Sequence, residues 1–572
     1  MEDGKKKMHH IFWQLFKGYW YSEEKLRACG LFAVVILLNM AAVYLLVQLN
    51  AWYKEFYNVL QGYTVEFFWP SIGKLTLLAS LYIALAVYAI YLRQMLQIKW
   101  RIWMTDHYLA NWLGRQVYYR MQVLGSDTDN PDQRISEDIS QFVNLTMQLL
   151  VGTIQHLMTL GAFAVVLWNL SGVLTVPVGG KNVQIYGYML WFSLFYAVVG
   201  TYLAHRVGRR LVGLDFDQQH YEADFRFNMM RVRENSESVA FYGGEKPELQ
   251  GFKARFVKVV SNYWGLMRQM KLLNFYVNGY GQLAIIVPIL MAAPRYFSHE
   301  MQLGGFMQTL SAFGRVQDAL SYFVNSYDNI AQLAAVTRRL SSFTEHMEQV
   351  CVLESKVTRS STAKQQLELR NLCVELPAGQ VLVQDASLIL PVGSRTLITG
   401  NSGCGKSTLL RTLAGIWPFG RGELVLPEDE TVLFLPQRPY LPLGTLRRAV
   451  EYPLLQQCTE ARLQAVLRLV GMEHLTGRLD EIADWSRILS LGEQQRIAFA
   501  RVLLVKPQWV FLDEATSALD EPREKDMYEL LRQELPTMGI ISVGHRSTLF
   551  AQHQTEWHLA GDGSWQVRPI ME

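Results

Sequence analysis

The chain divides unevenly by its hydrophobic and polar positions. Uncharged, mostly apolar runs cover residues 28–49, 75–92, 139–180, 182–205 and 272–294, and beyond that point they stop. A helix crosses a bilayer with about 20 mostly apolar residues, so these runs predict membrane spans. The 139–180 run is too long for one span. Its span is placed near 146–168, and the remainder, "SGVLTVPVGGKN", reads as a polar outer turn. A sixth span is expected over about 303–335, although it carries Arg315, Asp318 and Asp328. An amphipathic helix outside the membrane fits the same pattern. A span is preferred because intramembrane charges usually face a watery cavity or a partner helix. Six spans also return the chain to its starting side. Arg315 and Asp318 read equally well as an intrahelical i, i+3 pair or as cavity lining.

Loop charge sets the orientation. Basic residues crowd the N-terminus (Lys5, Lys6, Lys7, Lys17, Lys25, Arg27), the second connection (Arg93, Lys99, Arg101, Arg115, Arg120, Arg134) and the fourth (Arg206, Arg209, Arg210). The alternate connections hold only Lys54 and Lys74, then Lys181, then Arg295. Both termini are therefore expected in the cytoplasm. The net charge of +3 is this same bias and calls for no nucleic-acid partner. "KKKMHHIFWQLFKGYWYS" lacks the continuous apolar core of a signal peptide. It reads as an interfacial helix with Phe12, Trp13, Phe16, Tyr19 and Trp20 at headgroup depth. Trp52, Tyr53, Tyr57, Trp100 and Trp103 read as an aromatic belt. The five cysteines (Cys29, Cys351, Cys373, Cys404, Cys458) show neither zinc spacing nor a disulfide framework.

At 572 residues more than one domain is expected. The cytoplasmic connections are long, and "WRIWMTDHYLANWLGRQVYYRMQ" and "EADFRFNMMRVRENSESVAFYGGE" have helical spacing, so spans should continue as helices into the cytoplasm. "NPDQRISEDI" opens with a Pro-containing turn that starts a return helix. The expected organisation is an N-terminal cytoplasmic or interfacial helix (1–27), a transmembrane domain (28–345), a polar linker (346–364) and a globular α/β domain (365–572).

The α/β part carries the chemistry. "GNSGCGKST" fits G-x-x-x-x-G-K-[ST] between a predicted strand, "SRTLIT", and a predicted helix, "TLLRTLAGI". Backbone N–H groups along Gly400, Asn401, Ser402, Gly403, Cys404, Gly405, Lys406, Ser407 and Thr408 would cradle phosphates. Lys406 would reach the β- and γ-phosphates, and the Ser407 hydroxyl would hold Mg²⁺. Cys404 sits at a free position of the motif and needs no role of its own. In "WVFLDEATSALD" an apolar strand ends in Asp513, a candidate for the Mg²⁺ shell. Glu514 follows as the group that orients or deprotonates the attacking water.

"LSLGEQQRIAFAR", between these motifs, resembles the signature of ATP-binding-cassette (ABC) ATPases, usually L-S-G-G-Q. Ser490 and Gly492 match; Leu491 replaces a glycine and Glu493 a glutamine. The resemblance implies that Gln437 in "LFLPQRP" is the lid glutamine sensing Mg²⁺, and that "SALD" (Ser517 to Asp520) is the dimer-contact loop. It also makes His545 in "SVGHR" the switch histidine at the γ-phosphate. Near Leu376, "CVELPAGQ" offers no aromatic residue to stack on adenine, which leaves ATP-over-GTP preference open. One cassette per chain implies a half-transporter: a homodimer in which each signature completes the other's ATP site.

"LNAWYKEFYNVLQ", "WRIWMTDHYLANWL", "NPDQRISEDI" and "YDNIAQLAAVTRRLSSF" resemble the bacterial BacA-related transporters and, more distantly, the D-subfamily half-transporters of peroxisomes and lysosomes. That resemblance implies an exporter-type fold of six transmembrane helices followed by the ABC ATPase domain, with Glu234 and Glu237 near a segment that docks on the ATPase. It also implies bulky hydrophilic cargo, cobalamin-like or peptide-like, moved inward across a bacterial inner membrane. An exporter of lipid, drug or acyl-CoA cargo shares the fold. An ATP-gated channel is disfavoured by the presence of both Glu514 and His545. The signature-bearing ATPases of DNA maintenance are excluded by the spans and by the lack of coiled-coil insertions.

Overall fold

The computed structural model describes residues 2–124, 130–178, 181–352, 356–362, 366–427 and 431–570. They fall into two compact units: Met1–Ala110 with Asp129–Thr344, and Asn111–Thr128 with Glu345–Glu572.

The first unit is helical apart from one hairpin. Its elements begin with α1 (Glu2–Trp20), α2 (Lys25–Gln61) and α3 (Val65–Leu113); a short α4 (Val117–Val123) follows in the second unit. The first unit resumes with the one-turn α5 (Pro131–Gln133), a π-helical turn (Arg134–Asp138), α6 (Ile139–Ser171) and the hairpin β1 (Val173–Val178) and β2 (Lys181–Tyr186). Then come α7 (Tyr188–Glu234), α8 (Ser236–Phe241), α9 (Glu245–Phe297), α10 (Leu303–Asn325) and α11 (Tyr327–Val352), whose residues from Glu345 onward belong to the second unit. The 49 residues of α3, at 1.5 Å each, make a rod of about 74 Å. That is more than twice the ~30 Å of a hydrocarbon core, so the helix continues well past the membrane as its spacing predicted.

Among the described residues four stretches are long and apolar enough to span a membrane: Lys25–Gln61, Val65–Val123, Pro131–Ser171 and Glu245–Phe297. The fourth and sixth expected spans fall on α7 and α10, which are not among these four. α10 packs against α2, α6, α7 and α9 and keeps Gln308, Thr309 and Gln317 buried among them. A helix enclosed by other helices satisfies its polar groups there and needs less apolar surface than one facing lipid.

Several positions in this unit differ from expectation. Residues 182–186, predicted as the start of a span, lie in β2, whose partner β1 pairs Val173 with Tyr186 and Val178 with Lys181. Their alternation of apolar and polar positions is a strand period that a count of uncharged residues ignores. The expected span 303–335 breaks at Ser326, between α10 and α11. Asn, Ser and Asp cluster there, and such side chains compete with helical backbone bonding. Arg315 and Asp318 both lie on exposed positions of α10, and among the described residues no ion pair joins them. The aromatic positions also divide. Tyr19 and Trp100 are almost fully buried and stack at 5.7 Å, so they hold α1 against α3 and do not face headgroups.

In the second unit, β6 (Arg395–Gly400), β8 (Val432–Leu435), β11 (Trp509–Asp513), β12 (Gly539–Val543), β13 (Thr555–Leu559) and β14 (Trp565–Pro569) form one sheet in the order β14-β13-β6-β12-β11-β8. All its pairings are parallel except β13 with β14. β11 and β12 are buried nearly end to end, as the unbroken apolar runs of a sheet covered on both faces require. A second sheet, β3-β7-β4-β5, is built from β3 (Lys356–Thr362), β4 (Gln366–Glu375), β5 (Val381–Pro391) and β7 (Gly420–Pro427). β3 lies inside the stretch expected to be linker. It is an edge strand, mostly exposed, so its sequence shows no apolar alternation. Val123 of α4 packs against the core of this unit, so the segment Asn111–Thr128 belongs with the α/β fold.

Candidate functional site

The loop after β6 turns tightly into α12 (Lys406–Leu413). Gly400 and Gly405 hold φ of +137° and +104°, and a Cβ on Gly400 would stand 2.4 Å from the Leu559 carbonyl oxygen. Only glycine fits there. Lys406 is 7% exposed, and its Nζ donates to the carbonyls of Gly400 (2.8 Å) and Asn401 (2.9 Å) across the loop. No side chain caps the start of α12, so its first N–H groups are available to an anion. Cys404 is buried in the core, consistent with a packing residue.

Ser407 Oγ donates to Asp513 Oδ1 at 3.0 Å. Burial raises the Asp513 pKa, and the Ser407 hydrogen bond only partly opposes it. This hydroxyl and carboxylate are hard oxygen donors side by side, a pairing that suits Mg²⁺.

Glu514 continues from the end of β11, with φ +50° and its N–H bonded to Val543 O at 3.1 Å. A non-glycine residue in that region is strained and persists only when its surroundings enforce it. Here the strain aims the carboxylate at two partners. Gln437 Nε2 donates to Oε2 at 2.8 Å, and His545 Nε2 lies 2.7 Å from Oε1. An ionised carboxylate only accepts, so this histidine nitrogen carries the proton. The structure thus brings Gln437, Glu514 and His545 together, with Asp513 next in sequence and bonded to Ser407 of the loop.

Ser490, Gly492 and Glu493 form a separate group at the start of α16 (Leu491–Val505). Ser490 caps the helix and Glu493 bonds back to it, a capping box in which the Ser490 N–H and hydroxyl reach Glu493 Oε2 at 2.9 and 2.8 Å. Burial pushes the Glu493 carboxyl up, but these bonds outweigh it and hold its pKa below the usual range. His474 lies 3.5 Å from the other oxygen. Among the described residues none of these bonds reaches the loop 400–408.

The link between the two groups is a residue that the motifs did not single out. Gln495, fully buried on α16, donates to Gln437 O (3.0 Å) and Ser517 Oγ (3.2 Å), and its Oε1 accepts from Ala518 N (3.0 Å). One side chain therefore ties the signature helix to the Gln437 segment and to the "SALD" loop. The available signal was a pair of amides, Gln494 and Gln495, in the first turns of a helix that becomes mostly apolar after them.

A fold of this kind, with a phosphate-type loop and a strained glutamate beside it, joined in one chain to long apolar helices, is that of a nucleotide-driven membrane transporter. Residues 15–297 match the family described as ABC transporter transmembrane region 2, and residues 383–517 match ABC transporter. The chain is 32% identical to the inner membrane ABC transporter ATP-binding protein YddA of Escherichia coli (strain K12), over 96% of each chain. It is 28% identical to the lysosomal cobalamin transporter ABCD4 of Homo sapiens, over 96% of this chain and 94% of that protein. The structure of a bacterial Atm1-family ABC exporter with ATP bound superposes with a TM-score of 0.68 at 17% identity, covering 94% of both chains. The chain belongs to the ABC transporter family. It is a membrane-spanning half-transporter of exporter-type fold whose fused ATPase binds ATP, with Mg²⁺ the usual accompanying ion, and couples hydrolysis to transport.

Proposed function

We propose that the chain works as a homodimer in a bacterial inner membrane, both termini cytoplasmic, and carries bulky hydrophilic cargo inward at the expense of ATP. The observation that supports polar cargo is the set of buried amides and hydroxyls on α10, Gln308, Thr309 and Gln317, within an otherwise apolar helical unit. The relationship to a protein named as a cobalamin transporter points the same way.

The residues divide the work by position. Backbone N–H groups of the loop from Gly400 through Thr408, including Asn401, Ser402, Gly403, Cys404 and Gly405, grip phosphate. The Lys406 ammonium exchanges its two loop carbonyls for the β- and γ-phosphates. Ser407, Asp513 and Gln437 would hold Mg²⁺, which supplies charge neutralisation at the phosphates. Glu514 accepts the proton of the attacking water at a carboxylate lone pair not taken by Gln437 or His545. The His545 Nε2–H then turns to the γ-phosphate. Ser490, Gly492 and Glu493 meet the nucleotide held by the second copy, and Glu493 adds a negative charge there that weakens the grip.

The test is transport in liposomes preloaded with labelled cobalamin or a labelled proline-rich peptide. ATP added outside reaches only molecules whose ATPase units face outward. ATP-dependent emptying by wild type and not by Glu514→Gln supports inward transport. ATP-dependent filling establishes export, and flux indifferent to ATP establishes a passive pore.

A further inference from the structure

At the end of the helical unit where α2 runs out and α10 begins lies a cavity of about 490 Å³. Lys54, Glu55 and Asn58 of α2 line one side; Asn169 of α6 and Gln308 of α10 line the other, with apolar side chains of α6 between. Its volume is that of a small-molecule site, generally ~300–1,000 Å³. That volume suits one portion of a bulky solute rather than the whole.

Its walls are fixed. The N–H groups that open α10 are capped from α2: Leu303 N donates to Gln61 Oε1 and Gly304 N to Asn58 Oδ1, both at 2.9 Å. A Cβ on Gly304 would stand 2.0 Å from Lys54 O, so the two helices touch at backbone distance. Deeper in, Asn50 is 2% exposed and donates through Nδ2 to Gln308 O at 3.1 Å. The other half of each amide is unused. Asn50 Oδ1 and Gln308 Oε1 are buried without a hydrogen-bond partner, on side chains more than nine-tenths buried.

Asn50 lies behind Gln308 and outside the lining, so the carboxamides that line the cavity are those of Asn58, Asn169 and Gln308. Carboxamides such as Asn169 and Gln308 present donor and acceptor together, which matches another amide. The charges at the rim are also uneven: Glu55 is held by Lys74 at 2.6 Å, while Lys54 is exposed and remains available to an anionic or carbonyl group.

We propose that this cavity is a cargo subsite that seats amide groups of a hydrophilic solute, through Asn169 and Gln308, with Lys54 at the rim. The proposal deepens the reading of polar cargo and rests on it. Amides of this kind occur in a peptide backbone and in the carboxamide arms of a corrinoid.

Full-length protein in nanodiscs, without nucleotide, is titrated with a fluorescent proline-rich peptide and, separately, with cobalamin. Wild type is compared with Gln308→Met, which keeps volume but removes the amide, and with Asn169→Leu at the exposed side, which guards against a folding defect in the first variant. Binding of either probe by wild type, weakened about tenfold or more in both variants, supports the subsite; the probe that binds identifies the source of the amide. Binding by wild type that both variants retain unchanged overturns the subsite and leaves polar cargo standing. Failure of wild type to bind either probe overturns the polar-cargo reading and the subsite with it.

Discussion

His545 Nε2 stands 2.7 Å from Glu514 Oε1, and the second oxygen of the same carboxylate is taken by Gln437 Nε2 at 2.8 Å. In this arrangement each oxygen of the base already accepts one hydrogen bond, and the lone pairs that remain must serve the attacking water. Glu514→Gln keeps the shape and removes the base. Hydrolysis should fall by about 10²–10⁴, the usual contribution of a positioned general base, while ATP binding survives. His545→Ala should also lower kcat, with KM less affected. Steady-state ATPase assays beside equilibrium binding of labelled ATP separate these effects; a variant Glu514→Gln that hydrolyses at the wild-type rate excludes Glu514 as the base.

Gln495 should matter as much as some motif residues although it touches no phosphate in the proposed mechanism. Gln495→Ala removes the partners of Gln437 O, Ser517 Oγ and Ala518 N together. Leaving buried polar groups unpaired costs about 1–3 kcal/mol each, so the unfolding temperature of the ATPase unit should drop. If the residue only supports the fold, kcat of the folded protein stays unchanged. If it positions Gln437 and the "SALD" loop, kcat falls with little change in ATP affinity, and Gln495→Glu, which retains an acceptor for Ala518 N–H, recovers part of the loss. The KM-against-kcat split of the two variants decides between them.

The sequence was most legible where one function demands contiguous residues. The phosphate-type loop must place glycine, lysine and serine within a few residues of a strand end, so Gly400 to Ser407 could be read directly. Gln495 could not, because its partners lie 58 and 22 positions away and only folding brings them into reach. The strand character of residues 182–186 was hidden by a different cause. Uncharged residues satisfy a count for a membrane helix even when their alternation belongs to a strand. The edge strand Lys356–Thr362 failed in the opposite sense. Exposed along most of its length, it has no apolar face to betray it. The cavity beside Gln308 combines residues from three helices and had no sequence signature.

Asp138 anchors the start of α6 to α11. It is 1% exposed and receives Arg134 Nη1 at 2.7 Å and Arg339 Nη2 and Nε at 2.6 and 2.9 Å. Breaking a buried ion pair by removing one partner typically costs about 3–5 kcal/mol, and Asp138 is the carboxylate that both arginines share. Asp138→Ala should therefore lower thermal stability more than Arg339→Ala, since Arg134 is only 5% exposed whereas Arg339 is partly solvated. Thermal unfolding of both variants in nanodiscs tests the order. Equal and small losses in the two would show that solvent reaches this triad freely.

A buried histidine sets an acid limit on the ATPase unit. His553 Nδ1 lies 2.7 Å from the Leu549 carbonyl and so carries the proton, while Nε2 lies 2.8 Å from Ser542 Oγ, which itself accepts from the Tyr528 hydroxyl at 2.9 Å. The chain of donors therefore runs from Tyr528 through Ser542 into an unprotonated Nε2, and every polar atom is satisfied only while the ring is neutral. Burial lowers the His553 pKa from 6.5 to about 4. Between those values the unfolded state binds a proton that the folded state refuses, so stability should fall as pH drops from about 6.5 towards 4. A shift of this size is worth on the order of 3 kcal/mol when fully expressed. His553→Gln has no proton to take up in this range, so its unfolding temperature, lower at pH 7, should decline less steeply on acidification than that of wild type. Parallel slopes for the two proteins between pH 7 and pH 4.5 would mean that other groups govern the acid transition.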